Sequence, residues 1–175
     1  MYLLDANVLI EAKNRYYSFE TAPGFWDWLE LMHQKSGACS IDAVFEELTV
    51  GDDELAHWAR QHQDFFREVD RHATRHFAEL TGWAVSQSYT DAALAGFTGN
   101  NADYLLVAHA RGHDFTVVTH ERSKPLARKR VLIPDACQAM NVKTLDTFEM
   151  LRRTEARFDL RQGTGISNLD STTLF

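Results

Sequence analysis

A chain of 175 residues with 45% hydrophobic content is long enough to bury one substantial core, so a single domain is expected. Its net charge of −7 argues against a surface that grips nucleic acid everywhere by charge, though a locally basic cleft stays open. No run approaches a transmembrane span. The two cysteines, Cys39 and Cys137, lie far apart in apolar segments with no leader-like sequence before them, so they read as reduced, buried thiols of a cytoplasmic protein.

In chain order, Tyr2–Leu4 predicts a first strand, and a helix is expected from about Val8 to Tyr16. Thr21-Ala-Pro23-Gly opens a second helix, GFWDWLELMHQK, that stops near Gly37; proline suits a first helical turn. Ala38–Ile41 predicts a second strand, after which Asp42 is expected to cap AVFEELTV. Asp52 is expected to cap the next helix, and a long apolar-striped helix is expected from roughly Asp64 to Leu80. Trp83–Val85 reads as a third strand and Tyr89–Phe97 as a helix. Asn101 caps ADYLLVAHAR, with Gly112 as the terminating residue beyond it. Phe115–Val118, Val131–Ile133 and Val142–Leu145 read as further strands, and a helix is expected near Phe148–Arg157. Short apolar strands alternating with helices predict an α/β fold with a central parallel β-sheet flanked by helices. The domain spans residues 1–158, and 159–175, rich in Gly, Ser, Thr and Asn, reads as a loosely held tail.

On this map the acids fall at strand ends and helix starts. Asp5 ends the first strand, and Glu46 and Glu47 lie one turn into the helix after the second. Asp103 sits in the first turn of a helix, Glu121 just past a Val-rich strand in VVTHE, and Asp135 in LIPDAC. Ligands of open parallel sheets bind beyond the carboxyl ends of the strands, so several carboxylates are expected to share one cleft. Such a cluster repels itself unless cations or raised pKa values relieve it, and oxygen-only ligands favour Mg²⁺ or Mn²⁺ over zinc. One or two such ions suit phosphodiester hydrolysis.

LLDANVLI followed by VFEEL, NADYLLVAHA and VVTHE resembles, in order and over about Tyr2 to Leu145, the successive signatures of PIN-domain nucleases. The GFWDWL and KNRYY stretches resemble a bacterial PIN-like subgroup often encoded as the toxin of toxin–antitoxin pairs. The resemblance implies a metal-dependent ribonuclease with RNA as substrate and a protein antitoxin as partner, a homodimer being compatible. Carried over position by position, it places Asp5, Glu47, Asp103 and Glu121 at the metal, with Glu121 standing where the pattern more often has Asp. Beside Asp5, Asn7 reads as a hydrogen-bonding support in preference to a turn residue, and Thr119 reads as either strand packing or a hydroxyl donor beside the metals.

Each acid also has a plainer role open to it. Asp5 suits a helix cap, Asp103 suits the helix dipole, and Glu47 suits a solvated helix face. Glu46 reads as surface or outer support, and Asp135 as a cap behind Pro134 rather than a ligand. The run RSKPLARKR holds five basic side chains, Arg122, Lys124, Arg128, Lys129 and Arg130, and reads either as a solvated loop or as a phosphate-binding rim. Arg15, Tyr16 and Tyr17 suit either base stacking or the core. His72 and His76 read as surface residues, His109 and His113 as separated by the helix end at Gly112, and His120 as a substrate contact or a solvated side chain. Two rival functions remain compatible with these residues. One is a phosphatase with Asp5 as nucleophile, which wants a second Asp where Asn7 stands. The other is a catalytically inactive PIN-like interaction module.

Overall fold

The computed structural model describes residues 1–159; the expectation for the tail falls almost entirely outside them. Five short strands, β1 (Tyr2–Leu4), β2 (Ala38–Ile41), β3 (Phe66–Arg67), β4 (Thr116–Val118) and β5 (Thr144–Leu145), form one sheet in the order β3-β2-β1-β4-β5. Every pairing is parallel. The central strand β1 is buried on both faces, which is why it reads as a continuous apolar run. The register sets Leu4 against Val118, so the residues that follow, Asp5 and Thr119, leave the sheet side by side.

Helices α1 (Ala6–Glu11), α2 (Pro23–Gln34), α3 (Asp42–Leu48), α4 (Glu54–Gln61) and α5 (Arg71–Thr74) occupy the first half. The second half contributes α6 (Phe77–Ser86), α7 (Asp91–Phe97), α8 (Ala102–His113), α9 (Ile133–Ala139) and α10 (Thr147–Arg153). Leu3, Leu9, Phe25, Ile41, Leu106 and Val117 are fully buried between the layers. Among the described residues no helix is long and apolar enough to cross a membrane.

Several local expectations give way to tertiary contacts. The first helix ends at Glu11 and continues as a π-helical turn, Ala12–Tyr16. Asp42 is the first helical residue of α3 rather than its cap, Ile41 holding that place. Asp53, not Asp52, caps α4 by accepting the Ala56 amide, while Asp52 pairs with Arg60. The long helix expected over Asp64–Leu80 is broken. Phe66 and Arg67 instead pair with β2 as the sheet's edge, and Asp70 caps a new short helix by accepting the His72 and Ala73 amides. Trp83–Val85 is helical: Leu80 and Ala84, four apart, are buried, whereas Val85 is 62% exposed, a helical rather than an alternating pattern. Val131–Ile133 is no strand, because Ile133 opens α9 with Pro134 in its first turn.

Helix α8 also runs past Gly112 to His113, and Asp114 takes the left-handed terminating position at φ 55°. Gly112 is required for another reason. A Cβ there would stand 2.2 Å from the backbone oxygen of His72, so only glycine lets α8 cross α5 this closely. Gly112→Ala should therefore cost about 3 kcal/mol, the upper range for overpacking, because backbone must yield rather than a side chain. Urea unfolding measures it. A loss within experimental error of zero would mean that the two helices separate freely.

Candidate metal centre

Asp5 is 2% exposed, and two neighbours orient its carboxylate. The Thr119 hydroxyl donates to Oδ2 at 2.9 Å, and the Asn7 amide donates to Oδ1 at 3.5 Å as Asp5 caps α1. The cap and the site residue are thus the same group. Asn7 acts through its backbone N–H; among the described residues its side-chain amide makes no hydrogen bond. Burial first, then the charge of Asp103, pushes the Asp5 pKa up to about 7, with Glu121 adding to the rise.

Glu121 follows Thr119 by two residues, and its amide donates to the Thr119 hydroxyl at 3.1 Å. The start of α9 aims the Ile133 amide at Oε2 of Glu121, at 2.8 Å, which fixes the longer side chain in place. Burial raises the Glu121 pKa against this hydrogen bond and the nearby Arg130. Asp103 stands in the first turn of α8, which Asn101 caps as expected by accepting the Asp103 and Tyr104 amides. Its pKa is raised by burial, opposed by Arg130. Glu47, on α3, is the most solvent-exposed of the four, and its pKa is raised by partial desolvation in the cleft and then by Asp103.

The charge of Asp103 thus raises Asp5, Glu47 and Glu121, carboxylates from three other segments, the condition a cation relieves. A protein cation already does so in part. Nη2 of Arg130 lies 2.5 Å from Glu121 Oε1 and 3.5 Å from Asp103 Oδ2. The donor set, all oxygen and carrying excess negative charge, fits Mg²⁺ or Mn²⁺. Glu46 points to solvent from α3, next to the cluster but outside it.

The basic run divides. Arg130 turns inward to the carboxylates, and Arg128 Nη1 folds back on the carbonyls of Pro125 and Ala127. Arg122, Lys124 and Lys129 are exposed and form no ion pair among the described residues. Asp135 holds this loop instead of capping α9. Its Oδ1 accepts the Ser123 hydroxyl at 2.5 Å and its Oδ2 the Lys124 amide at 3.1 Å, and Leu132 occupies the cap position.

Beside Glu121 a groove of about 670 Å³ is lined by Glu11, Tyr16, His120, Arg122 and Phe148. Tyr16 is 45% exposed there, while Tyr17 stacks on Phe25 in the core at 4.4 Å. His120 is neither solvated nor free. Its Nδ1 meets Glu11 at 2.6 Å and its Nε2 meets the buried Thr147 hydroxyl at 2.6 Å, tying α1 to α10 behind the cleft. Sequence reasoning missed Arg130 as a charge-balancing group and missed Glu11 and Thr147 as partners of His120. Only the alternation of acids with the basic run signalled Arg130, and nothing local signalled the other two.

An all-parallel five-stranded sheet with acids gathered past the carboxyl ends of its central strands is a PIN-like α/β fold. The fold is similar to those of two solved structures. One is VapBC2 from Rickettsia felis bound to a DNA fragment from their promoter, with 18% identity, a TM-score of 0.50, and coverage of 83% of this chain and 97% of that one. The other is FitAcB from Neisseria gonorrhoeae, with 14% identity, a TM-score of 0.50, and coverage of 83% and 96%. The chain belongs to the family described as Domain of unknown function (DUF4411), whose model matches residues 2–158. No curated protein matches the sequence.

Proposed function

We propose that this chain is a metal-dependent ribonuclease and the toxin of a toxin–antitoxin pair. The observation that carries the reading is the convergence of Asp5, Glu47, Asp103 and Glu121 on one cleft, where their pKa values rise together and Arg130 balances part of the charge. Likeness in fold to VapBC2 and FitAcB, both toxin–antitoxin complexes, supports a small protein antitoxin as partner.

The four carboxylates would hold one or two Mg²⁺ or Mn²⁺, which when bound supply Lewis-acid stabilisation of phosphoryl oxygens and a more acidic water. The chain's own residues do the positioning. Thr119 locks the rotamer of Asp5, and the Ile133 amide locks that of Glu121, so neither must be ordered when a ligand arrives. Arg130 offers a positive charge at the same oxygens, suited to a phosphate once the carboxylates are otherwise neutralised. Arg122 lines the groove beside Glu121, and Lys124 is exposed two residues further on; both would contact the backbone of a single strand.

RNA cleavage in Mg²⁺ or Mn²⁺, with chelator and a phosphomonoester as controls, tests the reading. Cleavage of RNA alone supports it; turnover of the monoester alone would select the phosphatase, and activity on neither the inactive module. The rim has its own test. Replacing Arg122, Lys124 and Lys129 together with Ala should lower the slope of log affinity against log salt by about 2, since each phosphate contact on a single strand contributes about 0.7. An unchanged slope in fluorescence-polarisation titrations would leave the run as a solvated loop.

A further inference from the structure

We propose that Asp70, His109 and His113 form a second metal site, of the zinc type, which clips α5 to α8. Each of the three offers one ligand atom, and these atoms lie within 4.8 Å of one another. Because α8 continues to His113, His109 and His113 are four apart on one helical face, with ring centroids 4.4 Å apart. The close crossing at Gly112 brings the start of α5 against that face, and with it Asp70.

His109 supplies the independent observation. It is 1% exposed, yet neither ring nitrogen has a hydrogen-bond partner. The only other buried side-chain nitrogen or oxygen so orphaned among the described residues is Trp58 Nε1. A buried imidazole is normally satisfied, and one left bare on both nitrogens beside a carboxylate calls for an electron-pair acceptor. Burial, and after it the neighbouring His113, lowers the His109 pKa to about 4, so the ring is neutral and carries a free lone pair.

The geometry needs little change. Ligands 2.0–2.2 Å from a tetrahedral zinc stand roughly 3.3–3.5 Å apart. Asp70 Oδ1 and His113 Nε2 are already 3.2 Å apart. Oδ1 also caps α5, while Oδ2 makes no hydrogen bond among the described residues and is available to a cation. Arg67, whose charge acts on His109 against that of Asp42, lies over the Phe115 ring at 5.6 Å and forms no ion pair with Asp70. Two imidazoles and a carboxylate select zinc over Mg²⁺, with a fourth position for water.

This site is separate from the acidic cleft. Asp103 opens α8 and His113 closes it, ten residues or about 15 Å along the axis, so the inference stands apart from the nuclease reading.

Chelator-treated, untagged full-length chain titrated with Zn²⁺ by calorimetry, with melting curves beside it, tests the site. With excess Mg²⁺ present to occupy the acidic cleft, wild type and Asp103→Asn should each take up one equivalent of Zn²⁺ tightly and melt higher with it. Asp70→Asn keeps the helix cap but loses the charged ligand, and His113→Ala removes an accessible one; both should bind at least tenfold more weakly and lose the melting shift. His109→Gln should do the same if it folds, and the other two variants decide the matter if it does not. In wild type, Zn²⁺ should move the ring-proton resonances of His109 and His113. A wild type without a stoichiometric response, an undiminished response in Asp70→Asn and His113→Ala, or a response abolished by Asp103→Asn would each overturn the proposal.

Discussion

Asp103→Asn should lower RNA cleavage by more than about 100-fold while leaving the fold intact. Loss of an outer partner of a metal ligand costs about 10–100-fold, and loss of a charged ligand should exceed that. The substitution keeps the shape of the side chain at the start of α8 and leaves the Asn101 cap untouched. It removes the negative charge that most strongly raises Asp5 after burial, and one of the two carboxylates that Arg130 bridges. In chelator the variant should therefore be no less stable than wild type. Single-turnover cleavage at saturating Mn²⁺, paired with melting in chelator, measures both effects. Wild-type rates from a folded variant in Mn²⁺ would remove Asp103 from the centre.

The second large effect is on stability and depends on pH. Asp5 binds its proton near pH 7 in the folded chain and near pH 3.8 when unperturbed. Between those values the folded state holds the extra proton, so raising the pH destabilises it. The favourable contribution is complete below about pH 4 and is lost as the pH rises through 7, a change on the order of 4 kcal/mol for so buried a group. Wild type in chelator should thus melt markedly lower at pH 8 than at pH 5. Asp5→Asn should flatten this dependence, and it should keep the α1 cap, since Asn caps as well as Asp. Added Mn²⁺ should restore wild type at pH 8, by about 2.7 kcal/mol at a hundredfold excess over the dissociation constant, and should help Asp5→Asn less. Calorimetry across the pH range with and without Mn²⁺ is the measurement. An Asp5→Asn chain with the wild-type pH dependence and the full Mn²⁺ response would reduce Asp5 to a helix cap.

Much of the site's frame was legible because it rests on short-range rules. Tyr2–Leu4 and Ala38–Ile41 are largely apolar runs that each stop at an aspartate, and both are strands over those same residues. Asn101 is a strong cap before a periodic helix, and it caps. A strand end in a parallel sheet is a place where charge gathers, so the positions of Asp5 and Glu121 followed from where strands stop. The errors fall where sequence periodicity has two solutions. Asp64–Leu80 carries an apolar stripe, but Phe66 and Arg67 gain more by completing the sheet edge beside β2 than by continuing a helix. Val131–Ile133 is β-branched and apolar, yet the proline after it suits a first helical turn, and the amide of Ile133 has a carboxylate to bind.

The sequence by itself determined the alternation of strands and helices, the parallel sheet, and a set of acids fated for its carboxyl edge, because these follow from hydrophobic period and local capping. Only the tertiary structure decided what those side chains meet. Arg130 could not be assigned to Asp103 and Glu121 from a run of five cations, since the choice between solvent and cleft depends on the path of a loop that Asp135 anchors from twelve residues away. Gly112 reads locally as a helix terminator; its actual role depends on α5 passing within contact distance, which no local rule encodes. That same crossing puts Asp70 beside two histidines some forty residues on. Periodicity and capping act over a few residues, whereas charge pairing and helix contact act through space, and only the folded chain brings the two together.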